Sequence, residues 1–244
     1  MKILALESAS LPASAALLSD EIVTAEFTTN FKITHSETLL PMVDEILKIT
    51  QTDKKSIDAI AISEGPGSFT GLRIGASAGK GLAFALGVPV IPVPTLDAMA
   101  YGLFGSGSIL CPIMDARRSQ VYTGLYSFEN GVFTRHMESS AISIEEQVKK
   151  AEELSEKLNK PLLYLGDGVP VYEKVVRSLC TKEVQFAPAH VRYQRAANVA
   201  ALGKVLFESG VVTDAENFLP VYLRKSQAER EREEMLAKEA GVQQ

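Results

Sequence analysis

Residues 63–87 read SEGPGSFTGLRIGASAGKGLAFALG. Just before them, residues 59–62 (Ala-Ile-Ala-Ile) form an unbroken apolar run, the pattern of a buried strand bounded by turn residues. Gly65-Pro66-Gly67 supplies the turn, Ser68 and Thr70 offer side-chain caps, and a long helical pattern follows. Gly71, Gly75, Gly79 and Ala83 recur every fourth residue and therefore share one helix face. A glycine inside a helix costs about 1 kcal/mol relative to alanine. A stripe of them predicts that another backbone comes close along that face.

A glycine-rich turn between strand and helix suggests a phosphate cradle, and the residues argue against the two best-known kinds. In a Walker loop Gly-Lys is followed by Ser or Thr, whereas Gly79-Lys80 is followed by Gly81. Gly65, Gly67 and Gly71 carry one residue too many for G-x-G-x-x-G, and the next strand pattern, 88–93, runs into Pro94-Thr95 rather than an acid. Two readings stay open: a close-packing helix, and an anion contact at its N-terminus.

Working outward, strands are predicted at 2–6, 13–18 and 21–28, a helix at 36–49, a strand at 58–62, then the striped helix, a strand at 88–93 and a helix at 95–104. Gly105-Ser106-Gly107-Ser108 reads as a hinge. The order then repeats: strands at 109–114, 120–128 and 132–137, and a helix at 143–158 opened by the capping box Ser143-Ile144-Glu145-Glu146. A strand at 162–165, a helix at 169–179, a weak strand at 183–186 and a helix at 198–209 follow. A twice-repeated order of three strands, helix, strand, helix predicts an α/β protein of two similar lobes, 1–105 and 106–244. The second ends in a stretch of alternating charge from Arg224 onward, read as a solvated helix or a partner contact.

The chain has 244 residues, enough for ordinary cores, with a net charge of −5 that argues against strong autonomous binding to nucleic acid. It contains no 18-residue apolar run and no signal-peptide pattern, so no membrane role and a cytoplasmic setting are expected. Cys111 and Cys180 make no disulfide or metal framework. His35, His136 and His190 lack the spacing for helix-borne zinc, and no G-x-S-x-G elbow is present.

Two acids close the first strands of the two lobes, Glu7 and Asp115. In a two-lobed nucleotide-binding protein such acids hold phosphate-bound Mg²⁺, while elsewhere they serve as turn and cap formers. Arg117, Arg118 and Tyr122 lie beside Asp115 and either bind an anion or pair with it. The helix at 36–49 is apolar over more than one stripe. Leu39, Met42, Val43, Ile46 and Ile49 form one face while Leu40 and Leu47 point elsewhere, so it is buried on both sides or meets a partner.

The segments ILALESAS, THSETLLPMVDEIL, ISEGPGSFTGLRIGASAGKGLA, PVIPVPTLDAMA and PIMDARRSQVYTGLY closely resemble the TsaB (YeaZ) family, an accessory subunit of the bacterial machinery that makes threonylcarbamoyladenosine in tRNA. The resemblance implies two ribonuclease-H-like lobes of the actin, sugar kinase and heat-shock ATPase (ASKHA) superfamily. It implies a TsaD-type transferase paralogue as partner, a TsaE-type ATPase joining through the assembled pair, and a homodimer when the chain is alone. Contact with tRNA would be indirect or weak. The paralogue holds its metal through H-x-x-x-H, where this sequence has Thr95 and Met99, so no catalysis and no metal are expected, with weak nucleotide binding left open. The family commonly ends its first strand in Asp; this chain has Glu7. The expected pairing surface is Gly71, Gly75, Gly79 and Ala83 together with Leu39, Met42, Val43 and Ile46. The rival reading is an autonomous ATPase or kinase of the same superfamily, with Glu7 and Asp115 as metal-linked acids.

Overall fold

The computed structural model describes residues 1–224, so the charged tail from Lys225 lies outside the described residues. Lobe one contains β1 (Lys2–Glu7), β2 (Ala13–Ser19), β3 (Ile22–Thr29), α1 (His35–Ile49), β4 (Ala59–Gly65), α2 (Phe69–Leu86) and β5 (Val90–Pro94), followed by α3 (Thr95–Tyr101). Lobe two contains β6 (Ile109–Asp115), β7 (Gln120–Glu129), β8 (Val132–Ser143), α4 (Ile144–Leu158), β9 (Leu162–Leu165), α5 (Val169–Leu179) and β10 (Val184–Phe186), then α6 (Ala189–Arg192) and α7 (Ala196–Glu208). The sheets run β3-β2-β1-β4-β5 and β10-β9-β6-β7-β8, so each follows the order third, second, first, fourth, fifth strand of its lobe. In both, the first strand pairs antiparallel with the second and parallel with the fourth. This is the two-lobed α/β architecture that the duplicated sequence pattern predicts.

Alternation within a strand sends successive side chains to opposite faces. Leu4, Leu6, Ile60 and Ile62 pack under α1 and α2, while Ile3, Ala5, Ala59 and Ala61 face the other way. That second face is covered by α7, through Ala196, Val199 and Ala200. The small alanines on both surfaces let this last helix lie close. Helix α3 makes the reverse excursion: Leu96, Met99 and Ala100 pack with Leu110, Met114 and Tyr126 of lobe two. The lobes are therefore stitched together behind the cleft.

The caps predicted at Ser68 and Ser143 form, whereas Thr70, the other candidate, lies inside α2. The Ser143 hydroxyl accepts from Glu146 N at 3.1 Å, and Ser68 accepts from Gly71 N at 3.3 Å. Helix α2 stops at Gly87, whose φ of 67° suits glycine. Differences lie mostly at ends: β4 continues to Gly65, β8 runs on to Ser143, α3 stops at Tyr101, and the four-residue α6 has no counterpart in the sequence reading. Continued pairing with β7 explains the longer β8, since Ser140 to Ser143 register with Thr123 to Gln120.

The close approach predicted for the glycine stripe is real and comes from the same chain, through backbone at Gly71 and through side chains at Gly75 and Gly79. A Cβ on Gly71 would overlap the Ser8 carbonyl, one on Gly75 the Ser8 hydroxyl, and one on Gly79 the Ile62 side chain. This corrects the expected pairing surface. Gly71, Gly75 and Gly79 press α2 onto the ends of β1 and β4, and Ala83 is buried in the same core. Leu39, Val43 and Ile46 are buried there as well, with the half-buried Met42 packed against them. Those faces are spent inside the fold, so any surface that α1 and α2 present is their opposite side.

Candidate functional site

Two cavities meet at the start of α2. The first, of about 680 Å³, lies between the lobes and is lined by Ser10, Gly67, Ser68 and Thr70 from lobe one, Asp115, Arg117, Tyr122 and Asp167 from lobe two, and Tyr222 and Arg224. The N-terminus of α2 opens into it through Ser68, Phe69 and Thr70, so the positive end of the helix dipole faces the cavity. A bond across the cleft joins the lobes: Ser10 Oγ donates to Asp167 Oδ2 at 2.7 Å. Gln194 Nε2 donates to the other carboxylate oxygen at 3.1 Å, and His35 Nε2 donates to the Ser10 carbonyl at 2.7 Å. Burial pushes the Asp167 carboxyl above its ordinary value.

Of the anion-binding candidates, Asp115 and Arg117 line this cleft, whereas Glu7 and Arg118 do not. Glu7 is buried beneath the β1–β2 turn, where its carboxyl accepts from Ala9 N at 2.6 Å. Burial, with the nearby Asp167 charge adding to it, pushes Glu7 up to about 7. Arg118 is exposed on the β6–β7 turn, where Arg117, Arg118 and Ser119 all take positive φ of 61°, 55° and 58°. Asp115 Oδ1 accepts from Arg117 N and from the Tyr172 hydroxyl, each at 2.9 Å, which holds that turn. Both acids thus bond to the backbone two residues on, as turn formers do.

The second cavity, about 610 Å³, is a groove between the outer faces of α1 and α2, lined chiefly by Leu40, Phe69, Ile74 and Ala78, with Arg73 and Ser77 at its side and the core residue Leu39 beneath it. Leu40 is 48% exposed there. The Arg73 guanidinium lies over the Phe69 ring at 4.0 Å, a cation–π contact. His35, Phe69 and Thr70 line both cavities. The sequence signal for this groove is Leu40, off the main apolar stripe of α1; Phe69, Ile74 and Ala78 carry no comparable signal, because the glycine stripe marks the opposite face of α2.

Among the described residues no three His, Cys, Asp or Glu side chains come together to hold a metal. Thr95 is buried and its hydroxyl accepts from Gly65 N at 3.2 Å, while Met99 packs into the core between α3 and lobe two. These positions do internal structural duty. His136 bonds Ser127 Oγ at 2.8 Å, well removed from His35 at the cleft.

The family model for TsaD, tRNA N6-adenosine threonylcarbamoyltransferase, matches residues 24–232. The tRNA threonylcarbamoyladenosine biosynthesis protein TsaB of Bacillus subtilis is 31% identical over 94% of this chain and 96% of its own length. The TsaB of Escherichia coli is 32% identical over 93% and 96% respectively. A crystal structure from Pseudomonas aeruginosa, of a protein described as similar to the peptidase YeaZ, superposes with a TM-score of 0.75 at 28% identity, covering 91% of this chain and 99% of that one. With matches of this extent on the two-lobed architecture described above, the chain belongs to the TsaB (YeaZ) family, within the fold that the TsaD model describes.

Proposed function

We propose that this chain is a non-catalytic, cytoplasmic subunit of tRNA threonylcarbamoyladenosine synthesis, which binds and supports a TsaD-type transferase through the outer faces of α1 and α2. The single observation that carries this reading is the apolar groove between those helices, with Leu40 half-exposed at its edge. An apolar groove flanked by Arg73 and Ser77 suits a helix laid lengthwise into it. The same groove would pair two copies of the chain in the absence of the transferase. A TsaE-type ATPase would join the assembled pair, and tRNA would touch this subunit weakly at most. The placement of Thr95 and Met99 in the core supports a role without metal chemistry, because neither side chain is free to face a substrate.

The test is co-purification of the chain with its TsaD-type paralogue from the same organism. Leu40→Asp or Ile74→Asp should reduce recovery of the pair at least tenfold while the variant remains folded by circular dichroism. Undiminished pairing would move the docking surface elsewhere.

The second reading, an autonomous nucleotide-binding ATPase, draws on the interlobe cleft beside the start of α2. Calorimetry with ATP and Mg²⁺ separates the two: turnover by the isolated chain, with a dissociation constant below about 10 μM (about −7 kcal/mol), would overturn the non-catalytic assignment.

A further inference from the structure

Residues 211–224 leave α7, run back along lobe one, and end on lobe two. Thr213 pairs with Val90 at the open edge of β5, and Phe218 is buried in the lobe-one core. From α2, Lys80 Nζ donates to the carbonyl oxygens of Glu216 at 3.1 Å and Phe218 at 2.9 Å. Val221 N donates to the Glu64 carbonyl at 2.7 Å. The Val221 carbonyl fills the space where a Cβ on Gly65 would lie, so the glycine ending β4, with its φ of 122°, is shaped around this segment. Beyond that point the anchoring changes character. Tyr222 rests on the Phe69 ring at 4.8 Å between centroids, and Arg224 Nη1 donates to the Ala116 carbonyl of lobe two at 2.5 Å.

Tyr222, Leu223 and Arg224 form part of the cleft wall. The segment is held to lobe one by main-chain bonds and a buried aromatic ring, and reaches lobe two through one long side chain. A guanidinium on a carbonyl is a charge-assisted bond, stronger than a neutral one, and here it depends on a single flexible arm. Its acceptor sits beside the strained β6–β7 turn, next to residues that line the same cleft.

We propose that residues 218–224 are an interlobe latch: Arg224 on Ala116 keeps the two lobes closed over the cleft, and the cleft opens when that bond releases while the anchors at Phe218 and Val221 hold. The Ser10–Asp167 bond is the second tie across the same cleft, and the latch reinforces it. The proposal needs no partner and stands independently of the docking groove.

Methionine oxidation in the full chain tests it, using dilute hydrogen peroxide and peptide mass spectrometry. Met114 lines the cleft and Met99 lies in the core outside its lining, yet each is only 2% exposed. Arg224→Ala should speed oxidation of Met114 about tenfold and leave Met99 unchanged. Arg224→Lys, which keeps a cationic donor on a long arm, should restore most of the protection. Unchanged Met114 oxidation in Arg224→Ala would overturn the latch. So would a parallel rise at Met99, since that would report general loosening of the fold instead of an opened cleft.

Discussion

The two lobes share a strand order and differ in what their helices show to solvent. In lobe two, α4 and α5 carry ion pairs along their exposed sides: Lys150–Glu146 at 3.3 Å, Lys149–Glu153 at 4.0 Å and Arg177–Glu173 at 2.9 Å. These are i,i+4 pairs of the kind that keep a helix surface solvated. In lobe one, the corresponding α1 and α2 present an apolar groove instead. The inward faces differ in the opposite sense. Helix α5 packs on its sheet with Val169, Tyr172 and Val176, whereas α2 comes down on glycines. One topology thus supports an ordinary solvated layer in one half and a tightly seated layer with an apolar outer face in the other. Along α2 only Leu72 adds a large side chain to the glycines and alanines of the buried face, while the half-buried Phe69 and Ile74 line the groove on the other side.

The comparison extends to the acids that close the first strand of each sheet. Glu7 is fully buried, and Asp115 is exposed in the cleft. Sequence position alone makes them equivalents; burial makes them chemically different.

The largest effect that would sharpen this contrast is at the stripe. Gly75→Leu should cost about 3 kcal/mol or more in urea unfolding, because the side chain would have to displace Ser8 at the end of β1. A cost below about 1 kcal/mol would mean that α2 is not seated as described. Next comes Glu7. Its folded value of about 7 exceeds the ordinary 4.5, so its contribution is fully present below the lower value and is lost as pH rises through the higher one. Stability should therefore fall by up to about 3 kcal/mol between about pH 5 and pH 8, and Glu7→Gln should flatten that slope. Chemical denaturation across the pH range gives the answer, and an unchanged slope in the variant would deny Glu7 the role.

Val176→Ala in α5 should cost about 2 kcal/mol, the ordinary value for trimming a buried aliphatic side chain, and less than filling the glycine stripe. A larger loss than at Gly75 would reverse the contrast between the helices. The smallest effect is expected for Glu173→Gln, which breaks an exposed pair on α5 and should lower stability in urea unfolding by no more than about 0.5 kcal/mol. The same lobe-two surface should tolerate the change without effect on pairing.

Much of the fold is legible in the sequence. The duplicated order of strands and helices, the caps at Ser68 and Ser143, and the close approach along Gly71, Gly75 and Gly79 all follow from local chemistry: alternation, side-chain acceptors before a helix, and missing side-chain volume. The candidate site was less legible. Residues around Ser8 and Ser68, Asp167 and Arg224 are far apart in the chain, and nothing local says that Arg224 returns to Ala116 or that Ser10 reaches Asp167. The direction in which the stripe faces was also hidden. A glycine stripe states that a backbone comes near and leaves open whether it belongs to the same chain.

The sequence by itself determined the two α/β lobes, the identity of the family through its motifs, and the demand for a close neighbour along α2. Only the tertiary structure decided that this neighbour is β1 with its following turn, that Leu39, Val43 and Ile46 are core, and that the groove on the opposite side is what remains outside. The reason is geometric. Periodicity specifies which residues share a face, while the choice of what covers that face depends on contacts between segments that the chain brings together only on folding.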